Sequence, residues 1–265
     1  MTLALVKRER LWYTVAMKVL LSFSKRMLLG MFLLPVLCLL CCTPMEKEAV
    51  SDRPGLEEEG EEIPSIILPV YSPIGAVSET TFVQVCTSEH ATAYVSAHAV
   101  DAHMAQAMLD VFEEMIYPAL PEPDVLEGKK LNILICYMEG SVYGYMPSEL
   151  QSGEQGPLVF LNALYTDDLA YALAHEYQHF CAFDACAAGH TVISEETDEL
   201  LSDMFTELLF PGRGRERGIL SEDRTLAAQE RIEGWGKDAL PHAYDLLRAG
   251  YAEKELLLTL EKGEG

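Results

Sequence analysis

Apolar and polar positions along the chain change period, and the changes mark its elements. The runs TTFVQVC (80–86) and ATAYVSAHAV (91–100) alternate apolar and polar side chains on either side of a TSEH turn. Such alternation predicts two paired strands. VDAHMAQAMLDVFEEMIYPAL (100–120) then spaces its apolar residues as one face of a helix, which Pro118 and Pro121 stop. LNILICYM (131–138) and PLVFLNALY (157–165) are short, nearly continuous apolar runs, as strands buried on both faces are. A loop containing Gly and Ser joins them. TDDLAYALAHEYQHFCAF (166–183) predicts a helix with Thr166 as its cap and Asp167 and Asp168 in its first turn. CAAGHTVI breaks that pattern, and EETDELLSDMFTELLF (195–210) predicts a second helix that Pro211 and Gly212 end. Helical spacing continues to about Leu260. Strands first and helices afterwards predict an α+β fold, with a mixed or antiparallel sheet followed by a mostly helical C-terminal part.

The first 65 residues follow different rules. Lys18, Lys25 and Arg26 precede an apolar run, MLLGMFLLPVLCLLCC (27–42), that is short for a membrane span and contains Pro35. This suits the apolar region of a secretory signal. Residues 42–65 are rich in Glu, Gly and Pro and poor in apolar side chains, and are expected to be a solvated acidic tether. The folded domain is expected over residues 66–265. The chain's formal net charge is -23, which argues against a nucleic-acid groove or a polybasic membrane patch.

Within the first long helix stand His175, Glu176 and His179. Residues four apart on a helix lie one above the other, so both imidazoles can reach one metal ion. Glu176 then sits beside that ion without having to bind it. A catalytic zinc site takes three protein ligands and keeps one position open. The third ligand is expected from the second helix, where Glu199 follows His179 by twenty residues and Asp203 follows Glu199 by four. Glu195 and Glu196 are alternative ligands on the same acidic helix.

These two motifs, HEYQH and DELLSD, resemble those of the gluzincin zinc metallopeptidases, the thermolysin-like clan. LNILICY, VYGYMP and PLVFLNALY, leading into the HEYQH helix, are similar to hyicolysin-type neutral metallopeptidases over roughly residues 75–210. Asp198 stands where the clan's motif has Asn. The resemblance implies a zincin-like fold whose sheet packs on the HExxH helix. One Zn²⁺ would be held by His175, His179 and Glu199, with Glu176 as general base and Asp203 accepting a hydrogen bond from His175. It implies an endopeptidase acting on peptide or protein substrates. The strand PLVFLNA is a candidate edge for an extended peptide. For the oxyanion, His190, His242, Tyr244 and Tyr251 are available, and no motif selects among them.

The segment LLCCTP resembles a bacterial lipoprotein signal. That implies a leader over residues 1–41, lipid on Cys42 with Cys41 as the lesser candidate, export, and a lipid anchor at a bacterial membrane. Exported proteins permit disulfides, so Cys181 and Cys186, expected to flank a turn, are either a bridge or two free thiols. Two rivals to the peptidase remain open. One is a zincin-fold surface lipoprotein that binds without cleaving, and the other is a protein in which zinc only cross-links helices.

Overall fold

The computed structural model describes residues 64–71, 77–97, 99–147 and 156–262. The expected leader, Cys41, Cys42 and nearly all of the expected tether lie outside the described residues, as does His98. The residues described here belong to one unit, Glu61–Gly265.

Among the described residues, six strands form a single mixed sheet. They are β1 (Ser65–Tyr71), β2 (Val77–Thr87), β3 (Ala91–Ser96), β4 (Leu131–Cys136), β5 (Gly144–Tyr145) and β6 (Leu158–Asn162), in the order β1-β2-β3-β4-β6-β5. The first three are antiparallel neighbours, with a register shift between Gln84 and Cys86. β3, β4 and β6 run parallel. β5 returns antiparallel to β6 and ends the sheet. The chain is therefore α+β, as the order of its periods predicts.

Successive strand side chains point to opposite faces, and the apolar runs exploit both. Ile133, Ile135, Val159 and Leu161 join the larger core, which contains the helices. Leu134, Cys136, Leu158 and Phe160 point the other way and share a second apolar layer with Leu68, Val70 and Phe82, because the sheet curls. This explains why β4 and β6 read as continuous apolar runs. It also corrects one expectation. PLVFLNA does not present a free edge: β6 is buried and paired on both sides, and the last strand at that end of the described sheet is β5.

α1 (Ala102–Val111) crosses between β3 and β4, with Asp101 capping it by accepting from the Met104 N–H. It continues through a widened turn, Phe112–Ile116. α2 (Leu169–Gly189) carries HEYQH, and α3 (Glu195–Leu209) carries DELLSD. Then follow α4 (Arg213–Glu216), α5 (Glu222–Trp235), α6 (Ala239–Arg248) and α7 (Glu253–Lys262).

The start and end of α2 both differ from expectation. Thr166 caps nothing here. A tight helical turn, Ala163–Asp168, precedes α2, and the side chain of Asn162 accepts from the Leu164 N–H at 3.0 Å. Asp168 is committed instead to Arg213, whose Nε donates to it at 2.8 Å. At the other end α2 runs straight through Cys181 and Cys186 to Gly189. Both thiols are free, as are those of Cys86 and Cys136, and the bridge between Cys181 and Cys186 is not made. Two cysteines five apart on one helix point in different directions. His190 stops the helix in a left-handed conformation, φ 51°.

Candidate metal centre

α2 is packed between the sheet and helices α3 and α6, so it is buried nearly all round. That is why its sequence shows only a weak apolar face. Two sides of it nevertheless carry chemistry. Glu176 lies under β5, while His175 and His179 face α3.

The helix pair is held in register by a bond that sequence reasoning missed. Ser202, fully buried on α3, donates from Oγ to the carbonyl of His175 at 3.0 Å. The start of α3 is fixed as well. The Thr197 N–H donates to the Ser194 side chain, and the hydroxyls of Ser194 and Thr197 both donate to Glu253 of α7. Glu195, Glu196 and Asp198 occupy the first turn, where the positive end of the helix favours them. Glu195 and Glu196 are exposed and stand apart from the histidines, so neither serves as the alternative ligand.

His175, His179 and Glu199 do converge. His175 Nε2 is 3.1 Å from His179 Nε2 and 3.7 Å from Glu199 Oε2. His179 Nε2 is 3.5 Å from Glu199 Oε1. Ligand atoms about 2.0–2.1 Å from one tetrahedral ion stand roughly 3.3 Å apart; the two Nε2 atoms match that spacing, and a Glu199 oxygen lies close to each of them. Among the described residues this is the one group of His, Cys, Asp and Glu side chains so arranged.

The electrostatics agree. Burial, with His179 beside it, pushes the His175 pKa well below the usual histidine value, which leaves a lone pair free. Burial opposes protonation of His179 too, but Asp198 and Glu199 outweigh it and raise its pKa. Glu199 is held below the usual carboxylate range, chiefly by its bond with His179. A cation held between the two Nε2 atoms would do the work that a shared proton does otherwise, so metal and proton would compete at this site.

Two neighbours depart from expectation. Asp203 was expected to accept from His175, but both its oxygens are taken by Arg224 of α5. Arg224 Nε donates to Oδ2 at 2.7 Å and Nη2 to Oδ1 at 2.8 Å. The carboxylate beside an imidazole is Asp198, whose Oδ2 lies 2.9 Å from His179 Nδ1, although out of line for a straight hydrogen bond. The residue that breaks the clan's Asn pattern is thus the one that touches a ligand.

Glu176 has a different setting. It is buried, and among the described residues no group donates a hydrogen bond to its carboxylate. Burial pushes its pKa up to about 7. It sits against Gly144 of β5. A Cβ at 144 would come 2.9 Å from Glu176 Cγ and 2.8 Å from the Phe160 carbonyl oxygen. The absent side chain is what lets the edge strand pass over this carboxylate.

The group opens into a cleft of about 430 Å³. Its walls include Tyr143 and Tyr145 from the β5 segment, Tyr171 from α2, Leu220 and Arg224. The tyrosines are held rigidly: Tyr143 stacks on Tyr165 at 3.7 Å and Tyr145 on Phe160 at 4.7 Å. His190, His242, Tyr244 and Tyr251 do not line it, and Tyr244 is wholly buried. His90 is occupied elsewhere, bonded to Glu113 and stacked on Tyr117, and His103 is exposed.

No protein-family model matches this chain, and no curated protein matches it significantly. The assignment of function therefore rests on the site itself.

Proposed function

We propose that this protein is a zinc-dependent metalloendopeptidase with a zincin-like fold, resembling the gluzincins, exported and lipid-anchored through Cys42. The observation that carries the reading is the convergence of His175, His179 and Glu199 in a cleft that also holds Glu176. Two imidazoles and one carboxylate are the donor set of a catalytic zinc, and among the described residues no cysteine closes the group.

Bound there, zinc would supply Lewis acidity, lowering the pKa of a water molecule and polarising a peptide carbonyl. The chain's residues supply the rest. Among the described residues no group donates to the Glu176 carboxylate, and burial raises its pKa to about 7, toward the range in which a carboxylate both takes and returns a proton. As general base it accepts the proton of the attacking water, and as general acid it delivers that proton to the departing amine nitrogen. Asp198 holds His179 from behind and so orients its Nε2 toward the cleft. Tyr143 and Tyr145, from the segment that passes over Glu176, give an extended peptide a fixed apolar floor. A closing step for the oxyanion needs a donor, and Arg224 is a cleft-lining group able to provide one.

The test uses the full chain. Wild type should contain one zinc and cleave an unfolded protein substrate. Glu176→Gln should keep the metal and lose cleavage by about 10²–10⁴-fold. Glu199→Ala should lose the metal. Stoichiometric zinc with no cleavage of any unfolded protein would replace this reading with that of a binding module built on the same site.

A further inference from the structure

Besides Asp198, a second residue of the cleft touches a ligand of the group without belonging to it. Arg224 enters from α5, and no motif points to it. Its Nη2 donates to Glu199 Oε2 at 2.7 Å while its Nε and Nη2 grip both oxygens of Asp203. Asp203 is almost wholly buried on α3, one helical turn from Glu199, so the fork is fixed to the same helix as the ligand. Glu199 Oε1, the oxygen that Arg224 does not hold, lies 3.5 Å from His179 Nε2, and Oε2, which it does hold, lies 3.7 Å from His175 Nε2.

We infer that Arg224 is a positioning residue for the third metal ligand: anchored by Asp203, it engages Glu199 Oε2 and leaves Oε1 to the metal. This rests on the metal-site reading but not on peptidase activity. A carboxylate with two free oxygens can turn or bind through both. One already hydrogen-bonded through Oε2 is pre-oriented to bind through a single oxygen. That keeps a coordination position available for the reaction. The same arrangement gives Asp203 its purpose, since its own contact is with Arg224 and its effect on the site passes through that side chain. Lysine cannot substitute, because a single ammonium cannot fork across Asp203 and reach Glu199 together.

Full-chain wild type, Arg224→Met, Arg224→Lys and the pair Arg224→Met/Asp203→Asn are loaded with Co²⁺ or Zn²⁺. The readouts are the visible cobalt spectrum, zinc retention against a chelator, and thermal unfolding of the metal-free proteins. The double variant removes the uncompensated Asp203 charge, so folding and positioning are read separately. Arg224→Met and Arg224→Lys are expected to weaken metal retention by about 10–100-fold. Their cobalt bands should lose intensity, as coordination rises when Glu199 binds through both oxygens. The double variant should recover thermal stability without recovering retention. Folded Arg224→Met with wild-type retention and an unchanged cobalt spectrum would overturn the inference. Wild type that binds neither metal would remove the metal site and this inference together. Wild type that binds metal but cleaves nothing would remove the peptidase reading alone.

Discussion

Two buried aspartates on the central helix pair are each gripped by an arginine from the C-terminal helices, with different results. Asp168, at the head of α2, accepts from Arg213 Nε at 2.8 Å, and Arg217 Nε lies 3.5 Å away. Arg213 Nη2 donates again to the carbonyl of Asp167. Nothing in that cluster faces the histidines. Asp203 holds Arg224 just as closely, yet the spare reach of Arg224 goes to Glu199. One device serves as a staple between helices in the first case and as a positioning arm in the second. The difference lies in what the arginine does with the donors its aspartate leaves over. Arg213 spends them on backbone, whereas Arg224 spends them on a ligand.

Removing the arginines one at a time is the strongest way to break this comparison. Arg213→Met leaves Asp168 buried beside Arg217 alone. Stripping one partner from a buried pair costs several kcal/mol, but both arginines are about a third exposed or more and Arg217 remains. About 2 kcal/mol is expected. At roughly 2–4 °C per kcal/mol for a domain of this size, thermal unfolding should fall by about 4–8 °C. Zinc retention of the folded fraction should stay within about twofold, in contrast to the loss expected for Arg224→Met. Equal loss of retention in both variants would mean that general loosening, not positioning, explains Arg224.

Ser202→Ala sharpens the same contrast at lower cost. Its hydroxyl ties α3 to the His175 carbonyl with no charge involved. Its loss should destabilise by about 1 kcal/mol, measured by urea unfolding. Because that carbonyl belongs to a ligand residue, a small drop in metal retention should accompany it. Destabilisation without any change in retention would place Ser202 with the Asp168 staple.

Much of this arrangement was legible in the sequence, and the rest was not, for physical reasons. HEYQH and DELLSD are local in sequence, and helical spacing alone places His175, His179 and Glu199 on facing helix sides. β4 and β6 were legible as strands because they are continuous apolar runs, but that they pair parallel was not. Arg224 was invisible: it lies twenty-five residues beyond Glu199, on a helix whose sequence shows only that it is amphipathic and polar. Asp198 looked like a departure from a pattern, and its meaning appears only when His179 Nδ1 is found beside it. In the sequence Gly144 is one glycine of a loop containing Gly and Ser, and only the packing of β5 on Glu176 gives it a specific reason. The edge strand was misplaced because a two-residue strand leaves no periodic signal, while the run beside it does. The disulfide alternative failed because Gly189, not Cys186, marks where α2 ends.

The smallest effect comes from a pair remote from both staples. Glu113 on the widened turn after α1 accepts from His90 twice, from Nδ1 at 2.6 Å and from the backbone N–H at 2.8 Å. Burial alone would raise the Glu113 pKa, but the bonds from His90, with help from Ser88, outweigh it and hold the pKa below the usual glutamate value. The folded pKa is thus depressed. The stabilisation is complete above the unfolded pKa of about 4.3 and is lost as pH falls through the lower folded value. Glu113→Gln should therefore flatten the stability profile below about pH 4.5 and change it little at pH 7 beyond the loss of one charged hydrogen bond. Zinc retention at neutral pH should not move, since neither residue nor its neighbours touches α2's ligands. An unaltered acid limb in Glu113→Gln would show that the His90 bonds do not depress Glu113. A fall in zinc retention would show that charge pairs far from the cleft reach the ligands through the fold, and the distinction between staple and positioning arm would lose its basis.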